Sequence, residues 1–279
     1  MFNDSTLAFE IFMDKIIQHL ESNISYSIDG IGETLVLLHG FCEDKSVWHE
    51  FKQPLLLNVN IICIDLPGFG KSLPGNNHLS MELMADAVLS VLNEEQIEKC
   101  FVIGHSMGGY VALSFAEKYS ERLKGLGLFH SSCFADDEQK KETRKKVAEF
   151  VLKNGSRAFA DQLFPTLFTQ EFARSNEKLI FSLEEKAAII PDQSIASASL
   201  AMRERIDKTD FLKNTQLPVL IIIGKNDLAI PFERSVMMAH LPSTAVICML
   251  EKSAHMGMFE EPNAALESIS SWIATTKLS

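Results

Sequence analysis

Residues 101–113 read Phe101-Val102-Ile103-Gly104-His105-Ser106-Met107-Gly108-Gly109-Tyr110-Val111-Ala112-Leu113, and their reading decides the fold. An apolar run suited to a buried strand enters Gly104-His105-Ser106-Met107-Gly108 and leaves it as a helix-compatible segment with small residues on one side. A serine with glycine two residues away on each side sits on a very tight strand-to-helix turn, where a flanking Cβ would crowd neighbouring backbone. Such a turn holds a hydroxyl out at the carboxyl end of a sheet, beside the positive N-terminus of a helix. The five-residue pattern alone is weak. The strand before it and the helix after it supply the context that gives it force.

A lone serine is a poor nucleophile and needs a base, and a group to orient that base. The last third of the chain supplies both. Residues 218–227, Pro218-Val219-Leu220-Ile221-Ile222-Ile223-Gly224-Lys225-Asn226-Asp227, form a continuous apolar run of the kind found in a parallel strand buried on both faces. The run ends in a turn carrying Asp227. After a helix-like stretch from Pro231 to His240, Ala245 to Leu250 makes a further strand, and the loop beyond it carries His255. The chain order is therefore Ser106, Asp227, His255, which differs from the orders of the two common serine-protease groups. His130 and His105 are the competing bases. His105 lies inside the turn, where its side chain is expected to point away from Ser106.

Acyl transfer also requires two backbone donors for the developing oxyanion. Met107, next to the nucleophile, supplies one. The second is expected from the loop after the strand Thr34 to Leu38, at Phe41, with Cys42 as second choice. Gly40 would give that loop its backbone freedom, and His39 reads as a ring bonded to loop backbone. Asp65 in Asp65-Leu66-Pro67-Gly68-Phe69-Gly70-Lys71-Ser72 reads as the residue that fixes its own glycine-rich loop.

Taken in order, His39-Gly40-Phe41, the Asp65–Ser72 stretch, the serine turn and the Asp227/His255 pair resemble the α/β-hydrolase superfamily. The likeness is to its branch of small esterases, enol-lactonases and carbon–carbon bond hydrolases. It runs from about Ser25 to the C-terminus and is loosest in the middle. The resemblance implies an α/β fold: a mostly parallel central sheet flanked by helices, with an inserted helical cap. Haloalkane dehalogenases and epoxide hydrolases of related branches carry aspartate at the turn, so Ser106 disfavours those chemistries.

Composition agrees. At 279 residues, 46% of them hydrophobic, the chain can bury a large core as one α/β domain with an insertion. A net charge of −11 argues against nucleic acid and anionic membranes as partners. No signal peptide or membrane span is read; a cytoplasmic protein, monomer or homodimer, is expected, and Met13 reads as an alternative start. The five cysteines (Cys42, Cys63, Cys100, Cys133, Cys248) lack C-x-x-C spacing and read as buried free thiols. No metal-ligand spacing occurs among the histidines, and no cofactor is implied.

Strands are expected at Asn23 to Asp29, Thr34 to Leu38, Asn60 to Ile64, Phe101 to Ile103 and Leu123 to Phe129, with Asp29-Gly30 as a hairpin turn between the first two. Leu79 to Leu92 has helical spacing with Ser80 as N-cap. From 133 to 212 the strand–helix alternation stops, and helices are expected at Glu138 to Lys153, Ser156 to Leu163 and Gln193 to Arg205, with Asn154-Gly155 as stop and restart. The core is thus 1–132 and 213–279, and the cap is 133–212. This insertion carries 13 Lys/Arg and 14 Asp/Glu within an otherwise acidic chain, which suits an uncharged or weakly charged substrate. Its apolar cluster (Phe159, Leu163, Phe164, Leu167, Phe168) is expected to face the serine. Trp48 and His130 are further pocket candidates, with core packing as the competing role.

These readings converge on a serine hydrolase cleaving a small carboxylic ester or related acyl substrate through Ser106, His255 and Asp227. An enol-lactonase or carbon–carbon bond hydrolase would use the same triad. A protein of another class, binding or signalling through a slow or silent triad, would keep the same fold.

Overall fold

The computed structural model describes residues 14–20, 22–72, 75 and 78–276; the question of a start at Met13 lies outside them. The strands are β1 (Lys15–His19), β2 (Ser22–Asp29), β3 (Glu33–Leu38), β4 (Val59–Ile64), β5 (Cys100–His105), β6 (Leu123–Phe129), β7 (Val219–Gly224) and β8 (Ala245–Leu250). They form one sheet in the order β1-β2-β4-β3-β5-β6-β7-β8, antiparallel through β1, β2 and β4 and parallel from β4 onward. Every residue of β5 and β7 is buried, as expected of strands covered on both faces.

Helices α1 (Met81–Glu94), α2 (Met107–Lys118), α8 (Phe232–Ala239), α9 (Gly257–Glu260) and α10 (Pro262–Thr276) belong to the core. Ser80 caps α1, its side chain accepting from Leu83 N–H at 3.1 Å. Between β6 and β7 the chain makes only helices: α3 (Glu138–Leu163), α4 (Gln170–Ser175), α5 (Glu177–Ala188), α6 (Asp192–Glu204) and α7 (Thr209–Asn214). The break expected at Asn154-Gly155 falls inside α3, where Gly155 adopts φ 88°, ψ 160° and bends the helix axis. The Ser156 N–H beyond it is taken by Asp192 Oδ1 at 2.7 Å.

The hairpin expected between β2 and β3 does not form. β4 lies between them, and β2 pairs instead with β1 and β4. Gly30 and Gly32 do turn the chain with positive φ, but they do so to pass close to β4. A Cβ on Gly30 would lie 2.2 Å from the Val59 carbonyl oxygen, and one on Gly32 2.3 Å from that of Asn58. β3 is thereby sent to the middle of the sheet. The next strand is added on its left, β4, and the one after that on its right, β5. The loops after β3 and β5 therefore part at a reversal of strand order, the place where open α/β sheets leave a crevice beyond their carboxyl ends.

Candidate active site

Ser106 occupies that crevice. It takes φ 49°, ψ −113°, a strained conformation for a residue with a Cβ. Packing imposes it: a Cβ on Gly104 would lie 2.1 Å from the Gly108 carbonyl oxygen, and one on Gly108 2.5 Å from that of Leu38. The turn is tied down by Ser106 N–H to the Phe129 carbonyl (3.0 Å) and by Ser131 Oγ to the Ser106 carbonyl (2.8 Å). From Cys100 to Ala116 every residue is buried except Ser106. Met107 begins α2, so its N–H has no acceptor within the helix.

Asp227 follows β7 in a turn. Its Oδ1 accepts from Ala229 N–H (2.8 Å) and Ile230 N–H (2.9 Å), leaving Oδ2 to accept from His255 Nδ1 at 2.8 Å. Burial disfavours the charged carboxylate, but His255 and these donors outweigh it and hold its pKa below the ordinary carboxylate range. The backbone of His255 reaches the serine turn: its carbonyl lies 2.9 Å from Nε2 of His105, the residue before Ser106. Its N–H reaches across to the helical insertion and donates to the Leu167 carbonyl at 2.9 Å.

The other candidates separate. Phe41 is half-buried, with its ring edge-on to Phe69 (6.4 Å between centroids) and to Phe159 of the insertion (6.0 Å). Gly40 does not use left-handed conformation; the positive φ in this loop falls on Cys42 (62°). The Cys42 thiol is buried, and burial pushes its pKa well above the usual thiol value, which leaves it unreactive. Trp48 is fully buried against Phe51, Phe129 and His105, in the core and away from an open pocket. His130 is likewise closed off beneath Asp227: Nδ1 is 3.0 Å from Gly224 N–H and Nε2 3.2 Å from Gly257 N–H. Burial drives its pKa far down, so it stands as a neutral ring supporting the acid turn. Phe164 is buried, and Phe168 stacks on Phe172 (5.3 Å, 5° between planes) while lining a shallow depression beside Asp227.

His39 bonds its own loop, with Nδ1 2.8 Å from the Gly40 carbonyl and Nε2 accepting from Leu66 N–H at 3.0 Å. Asp65 accepts from Lys45 N–H (2.8 Å) and Lys71 N–H (3.0 Å), and a Cβ on Gly70 would strike its carboxylate. A separate cavity of about 440 Å³ lies near β2 and α5, lined by Asp29, Lys45, Lys52, Asp65 and Lys186. Lys45 pairs with Asp65 and Lys52 with Asp29 there, and Ser106, Asp227 and His255 do not line it. Glu43 escaped the sequence reading. Its carboxylate takes the Gly40 N–H at 2.7 Å and lies 3.1 Å from His105 Nδ1, a contact across 62 residues that no local pattern signals.

Comparison with known proteins agrees with this fold. Residues 33–262 match the family described as alpha/beta hydrolase fold. A pimeloyl-[acyl-carrier protein] methyl ester esterase of Aeromonas hydrophila is 30% identical over 263 residues, covering 90% of this chain and 99% of that protein. Among solved structures, a thermophilic esterase from Thermogutta terrifontis (malate bound) matches with a TM-score of 0.89 at 29% identity, over 95% of this chain and 99% of its own. The enol-lactonase from Burkholderia xenovorans LB400 shares the fold, with a TM-score of 0.87 at 20% identity over 93% and 100% of the two chains.

Proposed function

The chain belongs to the alpha/beta hydrolase fold family and is a hydrolase acting on ester bonds; from that premise we propose that it cleaves small carboxylic esters through an acyl-enzyme on Ser106. The observation that carries this reading is the strained, half-open Ser106 on a turn whose His105 Nε2 lies 2.9 Å from the His255 carbonyl, together with the buried His255–Asp227 pair 2.8 Å apart.

In this mechanism neutral His255 takes the Ser106 proton as Oγ attacks the ester carbon. The N–H groups of Met107 and Phe41 hold the oxyanion. Asp227, fixed by two backbone donors, keeps the proton of His255 on Nδ1 and leaves Nε2 free to act, and it stabilises the imidazolium that forms. Collapse of the tetrahedral intermediate expels the alcohol, which leaves with the proton from His255. Water activated by the same imidazole then releases the acid. The name of the Aeromonas relative makes methyl esters of acyl chains the first substrates to try.

A fluorophosphonate probe tests the reading: it labels the wild type and fails to label Ser106→Ala, whose kcat falls on the order of 10⁵-fold or more. Labelling that survives in Ser106→Ala overturns it. Methyl and p-nitrophenyl esters of increasing acyl length, assayed beside a lactone and a thioester, then rank the substrate classes.

A further inference from the structure

His105 has no part in the chemistry just described, yet its ring is closed off from solvent and both of its nitrogens are engaged. Nε2 lies 2.9 Å from the backbone carbonyl of His255. A carbonyl only accepts, so Nε2 carries a hydrogen. Nδ1 lies 3.1 Å from Glu43 Oε2, the oxygen that also accepts the Gly40 N–H at 2.7 Å. The Glu43 side chain is 2% exposed and the His105 side chain 1%. A carboxylate that deep is costly unless a charge answers it.

We propose that Glu43 and a doubly protonated His105 form a buried pair of positioning residues, which locks the oxyanion-side loop and the backbone of His255 to the serine turn. The inference rests on the serine-hydrolase reading of the site and deepens it. Three segments far apart in sequence meet at this pair: Gly40, next to the expected oxyanion donor; His105, next to the nucleophile; and the carbonyl of the expected base. The fit is close, since a Cβ on Gly40 would lie 2.7 Å from His105 Nδ1 and 3.0 Å from Glu43 Oε2. Trp48 and Phe129 stand edge-on to the ring at 6.3 and 6.1 Å and hold its plane.

Burial opposes charge on both partners, but each sustains the other. Glu43 raises the His105 pKa above the ordinary histidine value, and His105 draws that of Glu43 below the carboxylate range. The other titratable groups facing the pair are Asp227, which favours the imidazolium, the Cys42 thiol, and the rings of His255, His130 and His39. Buried ion pairs are often no more stabilising than apolar residues of the same volume, so fixed geometry is the better account of this one.

Two measurements test it. In the ¹⁵N-histidine-labelled wild type, both His105 nitrogens should be protonated at pH 7.5, with an exchange-protected N–H signal that is lost in Glu43→Gln. A neutral, singly protonated His105 at that pH overturns the proposal, whether or not the variant folds. In Glu43→Gln, kcat should fall roughly tenfold to a hundredfold with KM held within about twofold, because a small misplacement of catalytic groups costs that much. The alkaline fall of kcat should also move to lower pH, as the ring loses its proton sooner without the carboxylate. Wild-type kcat and pH profile in a folded Glu43→Gln overturn the positioning role. Fluorophosphonate labelling of the wild type separates the two ideas: no labelling sinks the hydrolase reading, while the NMR still reports the pair.

Discussion

The serine turn and the helical insertion are built on opposite principles. From Cys100 to Ala116 only Ser106 escapes burial, and the flanking glycines admit no added atom without collision. The insertion leaves Leu152, Phe181 and Ile189 exposed at 55%, 59% and 84%. It meets the loops that carry Phe41 and His255 through separate seams: the Leu167 carbonyl on His255 N–H, Thr169 on Glu260, and Phe159 on Phe41. The proposed reaction geometry would thus be held by close-packed backbone, which permits little variation. The insertion is tied to the rest of the fold by separate contacts spread along its length, among them Lys186 Nζ to Ser46 Oγ at 2.7 Å and Phe168 to Phe259 at 6.1 Å.

The sharpest way to break this contrast is at the acid. Asp227→Asn keeps the shape of the turn but spoils the tautomer of His255, and kcat should fall roughly 10⁴-fold. The pH dependence of stability has a definite sign. The folded pKa of Asp227 lies below its unfolded value, so its stabilisation is present above about pH 4 and is lost as pH falls through the folded value. The melting-temperature gap between wild type and Asp227→Asn should therefore be full at pH 6–7 and close on acidification below pH 4. A gap that widens toward acid would reverse the assignment, and activity within tenfold of wild type would move the acid to another residue.

Two glycines sharpen the contrast next. An added Cβ at Gly104 meets backbone at 2.1 Å, whereas at Gly155 nothing lies within 4 Å. Gly104→Ala should destabilise by about 3 kcal/mol, the upper end for an overfilled core, and should inactivate the enzyme by shifting Ser106. Gly155→Ala meets only the strain of φ 88°, roughly 1–3 kcal/mol, and should leave kcat for a short ester near wild type. Equal loss of activity in the two variants, measured at equal fraction folded, would mean that the bend in α3 is part of the catalytic geometry.

The same contrast governs what the sequence reveals. The positions of Ser106, Asp227 and His255 in loops that follow β5, β7 and β8 were legible because steric rules at strand ends act over a few residues. The sheet was legible through its buried β-branched runs. β1 was missed: Lys15-Ile16-Ile17-Gln18-His19 is short, its Ile16 is 59% exposed, and the turn after it uses Leu20 at φ 52° in place of a glycine or asparagine. The β2–β3 hairpin was misread because Asp29-Gly30 gives a turn signal without saying which strand intervenes. α5 carried a readable signal in Ile180, Leu183 and Ala187, a buried helical stripe overlooked beside the phenylalanines. Glu43 left none, since its meaning arises only when β3 and β5 lie side by side.

A weaker lever is the seam at Glu260. One carboxylate oxygen accepts from Thr169 N–H and Oγ–H, both at 2.8 Å, and the other from Ala254 N–H at 2.8 Å, next to His255. Glu260→Ala removes one seam between the insertion and the histidine loop and leaves the Leu167–His255 bond in place. The expected cost is about 1–3 kcal/mol for donors left without their acceptor, with faster proteolysis within 138–214 and a several-fold fall in kcat/KM. Unchanged proteolysis would show that the remaining seams suffice.

The smallest effect is expected at Phe159, where the insertion meets the oxyanion-side loop. Its half-buried ring lies edge-on to Phe41 at 6.0 Å and beside Phe150 at 6.4 Å. Such ring contacts are worth about 0.5–1.5 kcal/mol each beyond the area they bury. Phe159→Leu keeps much of that area, so thermal stability should fall by only a few degrees. The Phe41 backbone stays where β3 and the Cys42 turn put it, so kcat on a short ester should hold within about threefold, below one kcal/mol of barrier. The ratio of kcat/KM between long and short acyl chains should change instead, because this ring contact joins the insertion to the crevice. A uniform loss across all chain lengths would place Phe159 among the residues that hold the oxyanion loop, and the boundary between the fixed and the adjustable region would then have to be redrawn to include it.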